Sequence, residues 1–91
     1  MKDTNFDAYF YSALGDIVSE YRNKSNRTFE EVAQLLDIPS RTYYCYERGT
    51  RKMPVSIFNK LCLLYQIDKK ETLRRIAGEA YKKIEADQNG K

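Results

Sequence analysis

The chain has no histidine and no tryptophan, only two cysteines, two prolines and four glycines, and no long apolar run. Without histidine there is no imidazole base and no imidazole metal ligand. Cys45 and Cys62 stand far apart with no Cys-x-x-Cys, so a zinc cage lacks its ligand set. Both are read as free thiols in a reducing cytoplasm. No apolar stretch approaches the ~18 residues of a membrane span. Met1-Lys2-Asp3-Thr4-Asn5 lacks the basic start and apolar run of a signal peptide. No nucleophile–base pair and no metal set can be assembled, so the expectation is a non-enzyme with no cofactor, no small-molecule ligand and no membrane. A length of 91 residues fits one core, read as a single domain over 1–88 with a frayed tail at 89–91.

Scarcity of glycine and proline leaves helical spacing everywhere and no strand-like alternation. Phe6, Phe10, Ala13, Leu14, Ile17, Val18 and Tyr21 form the stripe of a first helix, which fades at Asn23-Lys24-Ser25-Asn26. Thr28 with Glu31 predicts a capping box opening a second helix, with Val32, Ala33, Leu35 and Leu36 on its apolar side. Asp37 stops it, Pro39 opens a third helix, and Gly49 ends that one. Pro54 starts a fourth, with Val55, Phe58, Leu61, Cys62 and Tyr65 inward. Asp68 with Glu71 predicts a second box and a fifth helix, striped by Leu73, Ile76, Ala77, Ala80, Tyr81 and Ile84.

Only Asp37-Ile38-Pro39 separates the second and third helices, and helices joined so tightly must cross steeply. The crossing needs a small side chain, which Ala33 supplies, and the turn needs a residue tolerant of left-handed torsions, which Asp37 is. Ile38, Tyr43 and Tyr46 can point inward and seat the third helix. From Leu14-Gly15 and Arg22 through Thr28-Phe29-Glu30-Glu31-Val32-Ala33 and Tyr46-Glu47-Arg48-Gly49 to Leu61-Cys62 and Ile67-Asp68, the chain resembles the phage-repressor and Cro-like (XRE-type) helix-turn-helix family. The resemblance spans residues 14–68, with the helix-turn-helix itself at 28–48.

It implies an all-α, five-helix lambda-repressor-like domain with extended first and last helices. It also implies a sequence-specific transcriptional regulator, a repressor, that binds double-stranded DNA in the major groove. Such a protein, bacterial or phage-encoded, acts as a homodimer on a palindromic operator, in the cytoplasm and associated with the nucleoid when bound to DNA. Carried over by position, Ser40, Arg41, Tyr44 and Cys45 face the bases. The planar fork of Arg41 matches the O6 and N7 acceptors of guanine, and its alternative is a phosphate contact. Thr28, the backbone of Phe29, Arg48, Thr50, Arg51 and Lys52 are the phosphate-contact candidates. Arg22 and Glu47 would form an ion pair holding the third helix. Phe29 stands where the family commonly has Gln, so that amide's phosphate bond is lost, and Arg27 replaces an apolar residue.

The net charge is only +3, but its distribution is uneven. Arg41, Arg48, Arg51 and Lys52 face Glu47 alone over residues 41–52, a local excess equal to that of the whole chain. Residues 1–21 carry the opposite sign and are expected to face away from DNA. The additional helical surface has two readings: one enlarged core, or a homodimer interface that spaces two recognition helices by ~34 Å. Ile57, Leu64, Leu73, Ile76 and Tyr81 are the candidates for that interface, with 69–87 as a dimerisation helix. A second functional class stays open. Eight tyrosines would also suit a protein-binding module, an antitoxin or phage-type inhibitor reusing the fold.

Overall fold

The computed structural model describes residues 6–89. They form five helices and, among the described residues, no strand: α1 Phe6–Lys24, α2 Phe29–Leu36, α3 Ser40–Arg48, α4 Val55–Tyr65 and α5 Lys69–Asn89. The expected order and limits of the helices hold to within a residue or two. The reading of residues 1–5, and of 90–91 in the frayed tail, lies outside the described residues; Asn89 is the last residue of α5. No helix of the described residues is long and apolar enough to cross a membrane.

Local chemistry explains the helix ends. Thr28 caps α2 through a complete box: its hydroxyl oxygen accepts from the Glu31 amide at 3.1 Å, and the Glu31 carboxylate accepts from the Thr28 amide at 2.8 Å. At α5, Asp68 accepts from the Glu71 amide at 2.9 Å, but the Glu71 carboxylate turns to Arg74 at 3.0 Å. Pro39 and Pro54 sit at the N-cap positions of α3 and α4, one residue earlier than expected, with extended ψ of 143° and 150°. Asp37, Gly49 and Gln66 take left-handed φ of 60°, 74° and 55° and close α2, α3 and α4 in one manner. In each, the next residue's amide reaches five back, as Ile38 to Ala33 at 3.0 Å, Thr50 to Cys45 at 3.1 Å and Ile67 to Cys62 at 3.0 Å.

One core joins all five helices through Leu14, Ile17 and Val18 of α1, Val32 and Leu36 of α2, Tyr43 and Tyr46 of α3, Phe58 and Leu61 of α4, and Ile76 and Ala80 of α5. Burying each large apolar side chain contributes roughly 1.5–3 kcal/mol. Helices α1 and α5 lie antiparallel, stitched by Tyr9 donating to Asp87, Asp16 with Lys83 at 2.9 Å and Glu20 with Arg75 at 2.6 Å.

Several inward assignments are corrected. Val55 and Leu35 are exposed at 72% and 58%: Val55 is the first residue of α4, past the edge of the core, and Leu35 falls beside the narrow Val32–Ala33–Leu36 stripe. Ile57 and Ile76 are 7% and 0% exposed in the chain's own core, so neither is on a surface available to a second copy. Leu64 is partly buried against the same core. Leu73 and Tyr81, read as part of the α5 stripe, sit at its outer edge at 38% and 61% exposed, while Thr72 is buried. The core arc on α4 and α5 is wider and rotated relative to the one periodicity suggests.

Candidate nucleic-acid interface

The first turns of α2 and α3 line one cleft, and the basic loop follows α3 at its other end, against the start of α1. The box at Thr28 consumes that residue's own amide and the Glu31 amide, leaving the first-turn amides of Phe29 and Glu30 outside the box. Pro39 gives α3 no side-chain cap, so the first turn at Ser40 also presents unfilled donors. Uncapped amides with a positive dipole end suit an anion. Ala33 is buried where α2 and α3 cross, and Ile38 packs against the core from the turn.

Backbone-to-backbone contact holds α3 in place. A Cβ at Gly15 of α1 would lie 2.2 Å from the carbonyl oxygen of Glu47, and one at Gly49 would lie 2.7 Å from the Cα of Ser12. Only glycine allows this approach at either position. The Arg22–Glu47 pair expected from the sequence is formed. Nε meets Oε2 at 2.7 Å and Nη2 meets Oε1 at 3.2 Å, with the side chains 11% and 4% exposed. The remaining Arg22 fork donates to the Arg27 carbonyl at 2.8 Å. Bonding to Glu47 holds the Arg22 guanidinium above its ordinary pKa.

Behind this pair, the Tyr43 hydroxyl is fully enclosed without a hydrogen bond of good geometry, beside the Glu47 carboxylate and the Tyr65 hydroxyl. Burial first, then Glu47, pushes the Tyr43 phenol far above its usual range, and burial raises Tyr65 as well. Tyr65 stacks on Tyr21 with centroids 5.9 Å apart, so the α1–α3–α4 junction is polar inside an aromatic shell.

On the outer face of α3, Ser40 and Arg41 are exposed, Tyr44 is 41% exposed and Cys45 is half-buried. Arg41 and Arg51 have no ion-pair partner among the described residues. Arg48 is exposed but folds back on its own helix. Its guanidinium lies 5.5 Å from the Tyr44 ring centre and donates to the Tyr44 hydroxyl at 3.1 Å. Tyr44 in turn meets the edge of Phe29, with centroids 5.2 Å apart, and Arg22 covers Phe29 at 4.2 Å. This run from Arg22 through Phe29 and Tyr44 to Arg48 is not expected from the sequence, where only the four-residue spacing of Tyr44 and Arg48 signals part of it.

The loop after α3 is exposed at Thr50, Arg51 and Lys52. The Thr50 hydroxyl donates to the Cys45 carbonyl at 3.3 Å. Lys52 meets Asp7 at 3.6 Å, both side chains about two-thirds exposed. The acidic start of α1 therefore borders the basic loop, which corrects the expectation that the two face apart. No group of three or more His, Cys, Asp or Glu side chains among the described residues is placed to hold a metal. Compared with protein-family models, curated proteins and solved structures, the chain matches none.

Proposed function

We propose that the chain is a sequence-specific double-stranded-DNA-binding transcriptional regulator, built as a lambda-repressor-like helix-turn-helix domain. Helix α3 enters the major groove, with Ser40, Arg41, Tyr44 and Cys45 toward the base edges. The Phe29 amide, the Thr28 hydroxyl, Thr50, Arg51 and Lys52 take the flanking phosphates. Arg48 reaches a phosphate from its position against Tyr44. The observation that carries the reading is the exposed Arg41, with no ion-pair partner among the described residues, beside the uncapped first turn of α3 at Ser40, with Arg51, likewise without one, in the loop that follows α3. Phosphates and guanine edges complement that chemistry.

A homodimer on a palindromic site, acting as a repressor by occluding a promoter, completes the proposal. Leu73 and Tyr81 are the interface candidates with exposed surface, and Val55 and Leu63, at 72% and 79% exposure, join them. Exposed apolar residues of this kind also favour the second reading, a protein-binding module. Selection from random duplexes separates the two. A palindromic consensus whose affinity falls steeply with salt supports the regulator. Failure to retain any duplex at low salt defeats it and favours the protein partner.

A further inference from the structure

Between the first turns of α2 and α3 lies a cleft of ≈ 440 Å³, lined by Phe29, Glu30, Ser40, Arg41, Tyr44 and Cys45. The Phe29 and Tyr44 rings, set edge to face, and the half-buried Cys45 thiol give it apolar walls, while Glu30, Ser40 and Arg41 supply its polar groups. Arg22 clamps Phe29 from behind at 4.2 Å and is itself fixed by Glu47, so the ring cannot swing away cheaply. The ring faces of Phe29 and Tyr44 carry no donor toward the cleft, and only the Tyr44 hydroxyl at its end could reach a phosphate oxygen. The rings gain from covering an apolar group, and the apolar group a DNA major groove displays is the C5-methyl of thymine.

The geometry points to this cleft as the receptor for a thymine methyl, with Phe29, Tyr44 and Cys45 as specificity-determining residues; the inference rests on the DNA-binding reading. The polar groups suit the same occupant. Glu30 is an acceptor for the N6 amine of the adenine paired with that thymine, and Arg41 suits the guanine of a neighbouring pair. The side chain that costs the chain a polar phosphate contact at position 29 thereby provides a base-reading wall.

The test uses the duplex recovered by selection, with each thymine replaced singly by deoxyuridine, which removes the methyl and nothing else. Binding of the full chain is expected to weaken about fourfold at one thymine per half-site. In Phe29→Ala, or in Cys45→Ala should the first variant not fold, thymine and uracil duplexes should bind alike. If every uracil duplex binds as well as its parent, or the penalty persists unchanged in the folded variants, the methyl pocket is wrong while DNA binding stands. A cleft built for an apolar side chain of a protein partner would give that same indifference to uracil. If selection enriches no duplex, both the pocket and the DNA-binding reading fail.

Discussion

The chain uses its charges in two different ways on two sides of the molecule. Along α1, each described acid has a cation: Asp7 meets Lys52, Asp16 meets Lys83, and Glu20 meets Arg75 and Lys24. Across α3 and the loop behind it, Arg41 and Arg51 are exposed with no acid among the described residues. The acids of α1 are answered within the fold, Asp7 by Lys52 of the basic loop itself, and Arg41 and Arg51 are left for something outside it. A net charge of +3 conceals that arrangement, because paired and unpaired charges enter the sum alike.

Between the two sides stands the Arg22–Glu47 pair, and breaking it should produce the largest effect. Arg22→Ala or Glu47→Ala leaves one enclosed charge alone and should lower stability by about 3–5 kcal/mol in denaturant unfolding. Replacing both with apolar residues should cost much less. If each single variant cost no more than an exposed pair, the junction would not be buried in solution. Arg41→Ala should do the reverse. Its unfolding midpoint should hold while discrimination at one base pair falls by about 1–3 kcal/mol, read by site selection with the variant. An unfolding midpoint that drops instead would place Arg41 with the structural charges.

Gly15→Ala tests how closely the two sides are joined. Its Cβ would meet the Glu47 carbonyl at 2.2 Å, so α1 and α3 must part, at a cost of about 1–3 kcal/mol; a variant as stable as the parent would contradict that contact. Alkaline pH probes the same junction. Tyr43 has its phenol pKa raised in the fold, so the native state keeps a proton that the unfolded chain gives up near pH ~10. Stability should be fully present below that pH and decline above it by about 1.4 kcal/mol per unit for each such group. Unfolding midpoints that stay level from about pH 8 to about pH 11 would refute the enclosure. The smallest change is expected at the clipped surface: Asp16→Asn and Glu20→Gln should each cost about 0.2–1 kcal/mol, and less in high salt.

The helices and their ends were legible because their signals are local. Thr28 with Glu31, Asp37 before Ile38-Pro39, and Gly49 after α3 each act within a few residues of where they stand. The Arg22–Glu47 pair was legible through the resemblance alone, since nothing in their 25-residue separation announces contact. What escaped was angular and three-dimensional. Val55 shares an apolar helix with Phe58, yet only the position of the other helices decides which of them is covered. Ile57 and Ile76 were assigned to an interface because a stripe cannot say whether it meets its own chain or another. The Asp7–Lys52 contact and the Phe29–Tyr44 cleft join segments that sequence spacing keeps apart.

Titrating the isotopically labelled chain with the selected duplex, and following each backbone amide by NMR, tests the division of the surface most directly. Shifts should concentrate at Thr28–Glu30, Ser40–Cys45 and Thr50–Lys52, with Asp16, Glu20 and the α5 residues that pair with them nearly silent. Shifts centred on α5, or none at low salt, would contradict the assignment of the unpaired cations to DNA.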